Sequence, residues 1–412
     1  MKLEKGYKLT EIGVVPQDWQ VLKLGEIGRV IRGASPRPKG DRRFYGGTVP
    51  RLMVEDVTRD GKFVTPIVDS LTVEGAKLSR PCPKGTLTVV CSGTVGIPSF
   101  LAVDACIHDG FLALVDIKRE ISSDYLYHQL TSLRQKFDLA ATHGGVFTNL
   151  TTTGFAEFSV AVAPSDEQRA ISIALSDVDG LLTKLDQLIS KKRDLKQAAM
   201  QQLLTGQTRL PDFEEKWASK CLGDIGGFLK GSGVRKDESL SGALPCIRYG
   251  EIYTQHDDYI KAFYSWISPS VASTALLLKK GDICFAGSGE TKAEIGKCVA
   301  FVDDFEAYAG GDIVILRSTE SNAVFMGYYL NTEPVNRQKA SMGQGDAVVH
   351  ISASALATIQ IKVPNLDEQA AIAKVLSDID AELATLEARR EKIRLIKQGM
   401  MQELLTGRTR LI

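Results

Sequence analysis

The chain has 412 residues, 44% of them hydrophobic and 24% charged, which is typical of a globular protein of two or three domains. Its 50 Lys and Arg residues balance its 50 Asp and Glu residues, which excludes a strong overall attraction to nucleic acid and leaves phosphate contact to local clusters. No apolar run approaches the roughly 20 residues that span a bilayer, so we expect no membrane contact. The N-terminal residues are polar and the seven cysteines form no CxxC pair, so we expect a cytoplasmic protein with reduced thiols.

The first 164 residues are predicted to form a mixed α/β domain. Residues 86–90 and 111–115 are short apolar runs rich in β-branched or aromatic residues, which predicts strands. Residues 124–139 have helical character, and glycine-rich loops separate these elements.

A basic loop occupies residues 29–51 of this domain. It holds seven Lys or Arg residues and one acid, Asp41, and its Gly and Pro residues indicate a loop. Guanidinium groups are preferred donors to phosphates and guanine edges, so we predict DNA contact, with a solvated charged loop as the alternative. The candidate contact residues of this domain are Arg32, Arg37, Lys39, Arg42, Arg43, Arg51 and, in a later loop, Thr94.

A long helix is predicted over residues 165–206. Its apolar residues recur in alternating steps of four and three, a heptad stripe suited to packing against another helix. Ser165 and Gln168 have capping-box spacing, and Gly206 stands where a glycine would end the helix. The predicted packing residues are Ile171, Leu175, Val178, Leu182 and Leu185.

Residues 207–364 are predicted to form a second mixed α/β domain, with strands at 313–316 and 359–363 and a helix at 323–330. Basic and aromatic residues return at the place equivalent to the basic loop, and this recurrence favours DNA contact over a solvated loop. The candidate contact residues here are Lys230, Arg235, Lys236, Arg248, Tyr249, Ser288 and Lys292.

A second long helix is predicted over residues 365–412, with a heptad stripe like that of the first. Two such helices in one chain can bury their stripes against each other, so we expect an antiparallel pair with one globular domain at each end. A plain coiled-coil stalk is the alternative. The predicted packing residues are Ile372, Leu376, Ile379, Leu383 and Leu386.

The chain contains an internal repeat. Asp166-Glu167-Gln168 returns as Asp367-Glu368-Gln369, and residues 203–210 return almost unchanged as residues 404–411. A fainter repeat relates the two domains. The order is therefore variable domain, constant helix, variable domain, constant helix, which indicates two copies doing one kind of job on two different targets.

No catalytic site is evident. Gly296-Lys297 lacks the rest of a P-loop, the five histidines have no metal-ligand spacing, and the Asn-Pro-Pro-Tyr tetrapeptide of amino-methyltransferases is missing. Residues 211–216 have the residue types of a nuclease site but crowd into one linker. We therefore expect a binding protein without a catalytic or metal site. A fused nuclease or methyltransferase and a coiled-coil scaffold with protein-binding end domains are the alternatives.

Three motifs carry a family resemblance. The opening from Gly6 to Trp19, the Asp-Glu-Gln that begins each long helix, and the Leu-Leu-Thr-Gly-x-Thr-Arg-Leu that closes it are similar to those of type I restriction–modification specificity subunits. Gly93-Thr94-Val95-Gly96 resembles a loop of that family, and the second copy is stretched between Gly289 and Gly296. The two-copy layout is also that of the family.

This resemblance implies a DNA sequence-specificity subunit without a catalytic site of its own. Two target-recognition domains would each read half of a bipartite site on double-stranded DNA, and the paired helices would fix the distance between the halves. The helices would also dock two methyltransferase subunits, which bring S-adenosylmethionine. Restriction subunits would join with ATP and magnesium, so no cofactor is expected on this chain.

Overall fold

In the computed structural model the chain forms two compact units. The first unit comprises Met1–Asp186 with Ala388–Ile412, and the second comprises Gln187–Glu387. The residues that the structure describes are 5–141, 149–345 and 348–411. Among them no helix has both the length and the apolar character needed to cross a membrane. The predicted division into four consecutive segments stays a prediction.

The first unit combines a five-stranded and a four-stranded β-sheet with two two-stranded sheets and short helices. Its strands are β1 (Tyr7–Thr10), β2 (Gly13–Pro16), β3 (Gln20–Lys23), β4 (Arg29–Arg32), β5 (Tyr45–Leu52), β6 (Phe63–Val64), β7 (Asp69–Leu71), β8 (Arg80–Cys82), β9 (Leu87–Val90), β10 (Pro98–Leu101), β11 (Ala105–Ile107), β12 (Phe111–Val115) and β13 (Ser159–Val162). Its helices are α1 (Leu24–Ile27), α2 (Val54–Asp60), α3 (Val73–Lys77), α4 (Ser123–Ser132), α5 (Arg134–Ala140), α6 (Thr152–Ala156) and the first part of α7 (Ser165–Leu203). The orders of the two larger sheets are β4-β12-β9-β10-β6 and β7-β5-β11-β8, and the two-stranded sheets are β1-β2 and β13-β3.

The second unit repeats this architecture. Its strands are β14 (Ala218–Cys221), β15 (Gly227–Lys230), β16 (Leu244–Ile247), β17 (Ser265–Ile267), β18 (Leu276–Leu277), β19 (Ile283–Ala286), β20 (Ser288–Gly289), β21 (Cys298–Ala300), β22 (Tyr308–Ala309), β23 (Ile313–Arg317), β24 (Val349–His350) and β25 (Gln360–Val363). Its helices are α8 (Leu222–Ile225), α9 (Tyr249–Thr254), α10 (Pro269–Ala272), α11 (Ala323–Tyr329), α12 (Glu333–Met342), α13 (Ala353–Ala357) and the first part of α14 (Leu366–Leu404). The main sheet orders are β15-β23-β19-β21 and β17-β16-β22-β18.

The central strands of both units are buried because their sequences are continuous apolar runs. Every residue of β9 and β19 is buried, and each strand lies between two antiparallel neighbours. The predicted strands at 86–90, 111–115, 313–316 and 359–363 correspond to β9, β12, β23 and β25. The prediction of a mixed α/β fold is confirmed.

Strand register shows that the faint repeat between the domains is structural. β4 pairs antiparallel with β12 so that Arg32 lies opposite Leu112, and β15 pairs antiparallel with β23 so that Lys230 lies opposite Val314. The end of β4 and the end of β15 are therefore equivalent places in the two units.

A glycine follows each of these two strands because neighbouring backbone leaves no room for a side chain. A Cβ on Gly33 would lie 2.0 Å from the carbonyl oxygen of His108, and a Cβ on Gly231 would lie 2.1 Å from that of Gly310. The loops that follow β4 and β15 therefore start from fixed positions against the segment before β12 or β23.

Within each unit the two long helices run antiparallel. In the first unit Asp179 pairs with Lys397 at 2.5 Å and Asp186 with Arg390 at 3.1 Å. In the second unit Lys196 pairs with Asp380 at 2.8 Å. In the internal repeat, Asp380 corresponds to Asp179 and Lys196 to Lys397, so the two ion pairs are equivalent. The predicted packing of the two helices is confirmed. The predicted stripe residues that are fully buried are Ile171, Leu175, Leu185, Ile372, Leu376 and Leu383, and those that are half-buried are Val178, Leu182, Ile379 and Leu386.

An ion pair joins the repeated motifs at the helix ends, and the sequence did not reveal it. In the first unit Arg410 donates to the buried Glu167 carboxylate at 2.7 and 2.8 Å, and also to Asp18 at 2.8 and 3.0 Å. In the second unit Arg209 donates to the buried Glu368 at 2.5 and 2.6 Å. The glutamate of each Asp-Glu-Gln motif therefore binds the arginine of the Thr-Arg-Leu motif that ends the other helix.

The glutamine of each Asp-Glu-Gln motif connects a long helix to its globular domain. The Oε1 atom of Gln168 accepts from the backbone N–H of Ser122 at 2.8 Å, and that of Gln369 accepts from the N–H of Asn322 at 2.9 Å. Ser122 and Asn322 are the N-caps of α4 and α11, respectively. The most similar segments of the two repeats are thus parts that hold each unit together.

Candidate nucleic-acid interface

The basic loop presents exposed cations on the first unit. Arg37 has a side chain that is 73% exposed and lies 3.7 Å from the carboxylate of Asp109. Lys39 and Arg42 are also exposed. Arg43 is exposed and donates to both carboxylate oxygens of Asp41. These hydrogen bonds hold the pKa of Asp41 below its ordinary value, so part of the charge of Arg43 is compensated within the loop.

Arg51, one of the predicted DNA-contact residues, makes structural contacts inside the first unit, and its contact with DNA stays a prediction. It is only 4% exposed, because its strand β5 lies inside a sheet. Its guanidinium pairs with Asp69 at 2.5 Å, donates to Ser35 at 2.6 Å and lies over the ring of Tyr45. Arg51 therefore contacts two other residues of the basic loop, Ser35 and Tyr45.

A polar depression lies at the end of β4, beside the basic loop. Arg32 donates to the carbonyl oxygen of Asp109 at 2.9 Å and to Oδ1 of Asn149 at 3.0 Å. Ser92 faces Asn149 across an antiparallel bridge. The residues that line the depression are Arg32, Ser92, Gly93, His108, Asp109, Gly110 and Asn149.

The charge of this depression is set by Asp109 and His108. Burial acts to raise the pKa of Asp109, but hydrogen bonds from Ser35 and the backbone bring it below its ordinary value. Burial, together with the charge of Arg51, lowers the pKa of His108. At neutral pH the depression therefore holds an ionised carboxylate, a neutral imidazole and the guanidinium of Arg32.

An equivalent depression lies at the end of β15 in the second unit. Lys230 stands at the place of Arg32, and Asp312 and His350 also line the depression. The hydroxyl of Ser288 is hydrogen-bonded to Nδ1 of His350 at 2.9 Å. Ser288 is only 3% exposed. Its contact with DNA stays a prediction, and in this structure its side chain contacts His350, which is exposed.

The other predicted contact residues lie on loops and helix starts around the depressions. Thr94 is exposed and follows Gly93, which lines the first depression. In the second unit Arg248 is half-buried and Tyr249 exposed at the start of α9. Arg235 and Lys292 are exposed on loops, and Lys236 is exposed at the start of a short 3-10 helix.

Residues 211–216, which have the residue types of a nuclease site, lie in the segment that follows α7. Their carboxylates, Asp212, Glu214 and Glu215, are exposed in the linker after α7. Within the described ranges no group of three His, Cys, Asp or Glu residues is arranged to hold a metal ion.

Asp109, Asn149 and His350 are among the residues of the two depressions that sequence reasoning missed. The signal for the last two was available, because Asn149-Leu150 and His350-Ile351 are separated by 201 residues, the same offset as the helix motifs. Asp109 carried no such signal, since the equivalent place in the second unit holds glycine.

Comparisons with known proteins agree with this two-copy geometry. Residues 16–192 and 214–395 match the type I restriction modification DNA specificity domain. The MjaVIII specificity subunit of a type I restriction enzyme from Methanocaldococcus jannaschii is 23% identical, across 96% of this chain and 94% of that protein. The HindI specificity subunit from Haemophilus influenzae is 28% identical, across 47% of this chain and 42% of that protein. The crystal structure of a type I S subunit from M. genitalium has a TM-score of 0.60 at 15% identity, across 98% of both chains.

The two matched domains and the paired helices define a DNA-specificity protein with two target-recognition domains. The chain belongs to the family of type I restriction–modification DNA specificity proteins. It is the specificity subunit of such a system and is itself non-catalytic. The family and the function predicted from the sequence are thereby confirmed.

Proposed function

We propose that each target-recognition domain reads one half of a bipartite site on double-stranded DNA, from the major groove. The observation that carries this proposal is the recurrence of a polar depression at equivalent places, with Arg32 in one unit and Lys230 in the other. Two copies of one scaffold with different polar linings suit the recognition of two different sequences, since donors and acceptors on base edges are read by matching side chains.

The exposed cations around the depressions supply the phosphate contacts. Such contacts give affinity and register without sequence preference. Arg51 and Ser288 act indirectly, as positioning residues. The residues proposed to contact DNA are Arg32, Arg37, Lys39, Arg42, Arg43, Thr94, Lys230, Arg235, Lys236, Arg248, Tyr249 and Lys292.

The long helices have two tasks in this proposal. Their length fixes the number of unread base pairs between the half-sites, and their outer faces dock two methyltransferase subunits. α7 supports the second task, because Ile173, Leu181, Leu188 and Leu195 recur at near-heptad spacing and are exposed. S-adenosylmethionine then belongs to the methyltransferase subunits, and ATP and magnesium to restriction subunits that join them. The protein acts in the cytoplasm, which accords with its seven free cysteines.

The basic loop gives a direct test of DNA binding. We expect the triple variant Arg37→Ala, Lys39→Ala, Arg42→Ala, assembled with the methyltransferase, to bind target and unrelated DNA more weakly by the same factor. The slope of log affinity against log salt should fall by about 0.9 for each lost phosphate contact. A filter-binding or anisotropy series at several salt concentrations measures both quantities.

A matched control removes charge from the far end of the same sheet. Lys118 and Arg119 are exposed just beyond the end of β12 that lies opposite Arg29. Arg37, Lys39 and Arg42 follow the other end of that strand pair. The double variant Lys118→Ala, Arg119→Ala should keep the wild-type salt slope. A triple variant that is folded and has the same slope as this control would show that the basic loop is only a solvated surface.

A further inference from the structure

One backbone position in each depression is held by the same contacts in both units. Asn149 forms an antiparallel bridge with Ser92, and His350 pairs antiparallel with Ser288. The residue after each of these positions also makes an equivalent backbone hydrogen bond. The N–H of Leu150 donates to the carbonyl of Cys91 at 2.8 Å, and the N–H of Ile351 donates to the carbonyl of Gly287 at 3.0 Å. Positions 149 and 350 are therefore equivalent in backbone and different in side chain.

The second of these positions is fixed tightly. The N–H of His350 donates to the carbonyl of Gln344 at 2.8 Å, and the carbonyl of His350 accepts from the N–H of Gln344 at 2.9 Å. Buried Ser288 then holds Nδ1 of the imidazole at 2.9 Å. The His350 side chain is nevertheless exposed, so its outer nitrogen, Nε2, is presented at the rim of the depression in a set orientation. Such preorganisation reduces the cost of ordering a side chain on binding.

The first position is fixed through Arg32. The guanidinium of Arg32 donates to Oδ1 of Asn149 and to the Asp109 backbone, so both side chains are oriented by each other. Amide and guanidinium groups are the ones that pair with adenine and guanine edges in the major groove, and an imidazole nitrogen can make a single hydrogen bond there. The two positions thus carry side chains suited to different bases.

We infer that residues 149 and 350 are the base-reading positions of the first and second target-recognition domains, with Ser288 as the positioning residue of His350. The inference rests on the proposed function. It assigns sequence discrimination to one equivalent position in each domain, next to the cation at the end of β4 or β15. The surrounding loops supply phosphate contacts.

Reciprocal substitutions test this assignment. Asn149→His and His350→Asn, each in the chain assembled with its methyltransferase, are compared by mapping methylated adenines across the genome of the expressing cells. We expect each variant to change the base preference at one position by about tenfold or more. The two variants should affect different half-sites, and the untouched half-site and the unread gap serve as internal controls.

Ser288→Ala separates positioning from stability. It removes the hydrogen bond to Nδ1 of His350 without creating a new base-reading group. We expect it to relax the same base position that His350→Asn changes, while the other positions keep their preferences and the thermal unfolding midpoint stays close to that of the wild type.

Two results would overturn the inference. One is a complex in which His350→Asn and Ser288→Ala both leave every base preference unchanged. The other is a loss of affinity that is equal for target and unrelated DNA, since that pattern belongs to a phosphate contact. In either case the proposed function would still stand if the wild-type complex methylates a bipartite motif. A wild-type complex without such a motif would refute both the proposed function and the assignment of residues 149 and 350.

Discussion

Arg410→Met should destabilise the first unit by about 3 kcal/mol, the lower end of the range for breaking a buried ion pair. The side chain of Glu167 is only 4% exposed, and Arg410 donates to both of its carboxylate oxygens. Trp19 donates a further hydrogen bond to Glu167 but cannot neutralise its charge. Without Arg410 a buried carboxylate therefore loses its cation. For a unit of about 200 residues this corresponds to a fall in the unfolding midpoint of about 6 to 12 °C.

Hydrogen exchange locates the effect, and the chain offers a matched control. Arg408 belongs to the same motif but is largely exposed and lies 3.9 Å from Glu403, so Arg408→Met should change stability by less than about 0.5 kcal/mol. Arg410→Met should reduce amide protection around α7 and β13 of the first unit. Equal, small effects of the two substitutions would show that the pair of Arg410 with Glu167 does not hold the helix ends.

Four residues inserted into each long helix should widen the unread gap of the DNA site by about one or two base pairs. The insertions follow Asp186 in α7 and Glu387 in α14, where the chain passes from one unit to the other. Each adds about 6 Å of helix, and four residues are close to one turn of 3.6, so the packed face is nearly kept. DNA rises about 3.4 Å per base pair.

The expected effect on target choice is large. Both half-sites should keep their bases. The complex should no longer bind sites with the original spacing more tightly than unrelated DNA, a loss of about a thousandfold or more in relative affinity. The sites methylated before and after the insertion show the change. Four residues inserted between Pro211 and Asp212, in the exposed linker of the second unit, should leave the gap unchanged. An unchanged gap in an active complex with both helices lengthened would contradict the role of the helices as a spacer.

The parts of the fold that could be predicted are those with local or repeated signals. The long helices follow from heptad spacing, which depends only on neighbours along the chain. The two domains follow from motif repetition. The Glu167–Arg410 pair was hidden although both motifs were seen, because residues 243 positions apart meet only after folding.

The candidate site was harder to predict because burial decides which polar residues are available. Arg51 and Ser288 have the residue types of DNA contacts, but sheet and bridge partners enclose them. Asp109 contacts the basic loop from a distant segment, through hydrogen bonds with Arg32 and Ser35. Composition and spacing along the chain carry no record of these long-range neighbours.

The central claim is that the two domains do the same job on separate half-sites. It is tested most directly by replacing residues 5–164 with a second copy of residues 207–365 and mapping methylated adenines in cells that also express the methyltransferase. The carbonyls of Pro164 and Asn365 accept from the N–H of Gln168 and Gln369, respectively, so the junction is equivalent. We expect a motif that contains the half-site of the second domain twice, because both recognition domains then carry the same side chains. A motif that keeps the half-site of the absent first domain would contradict the account.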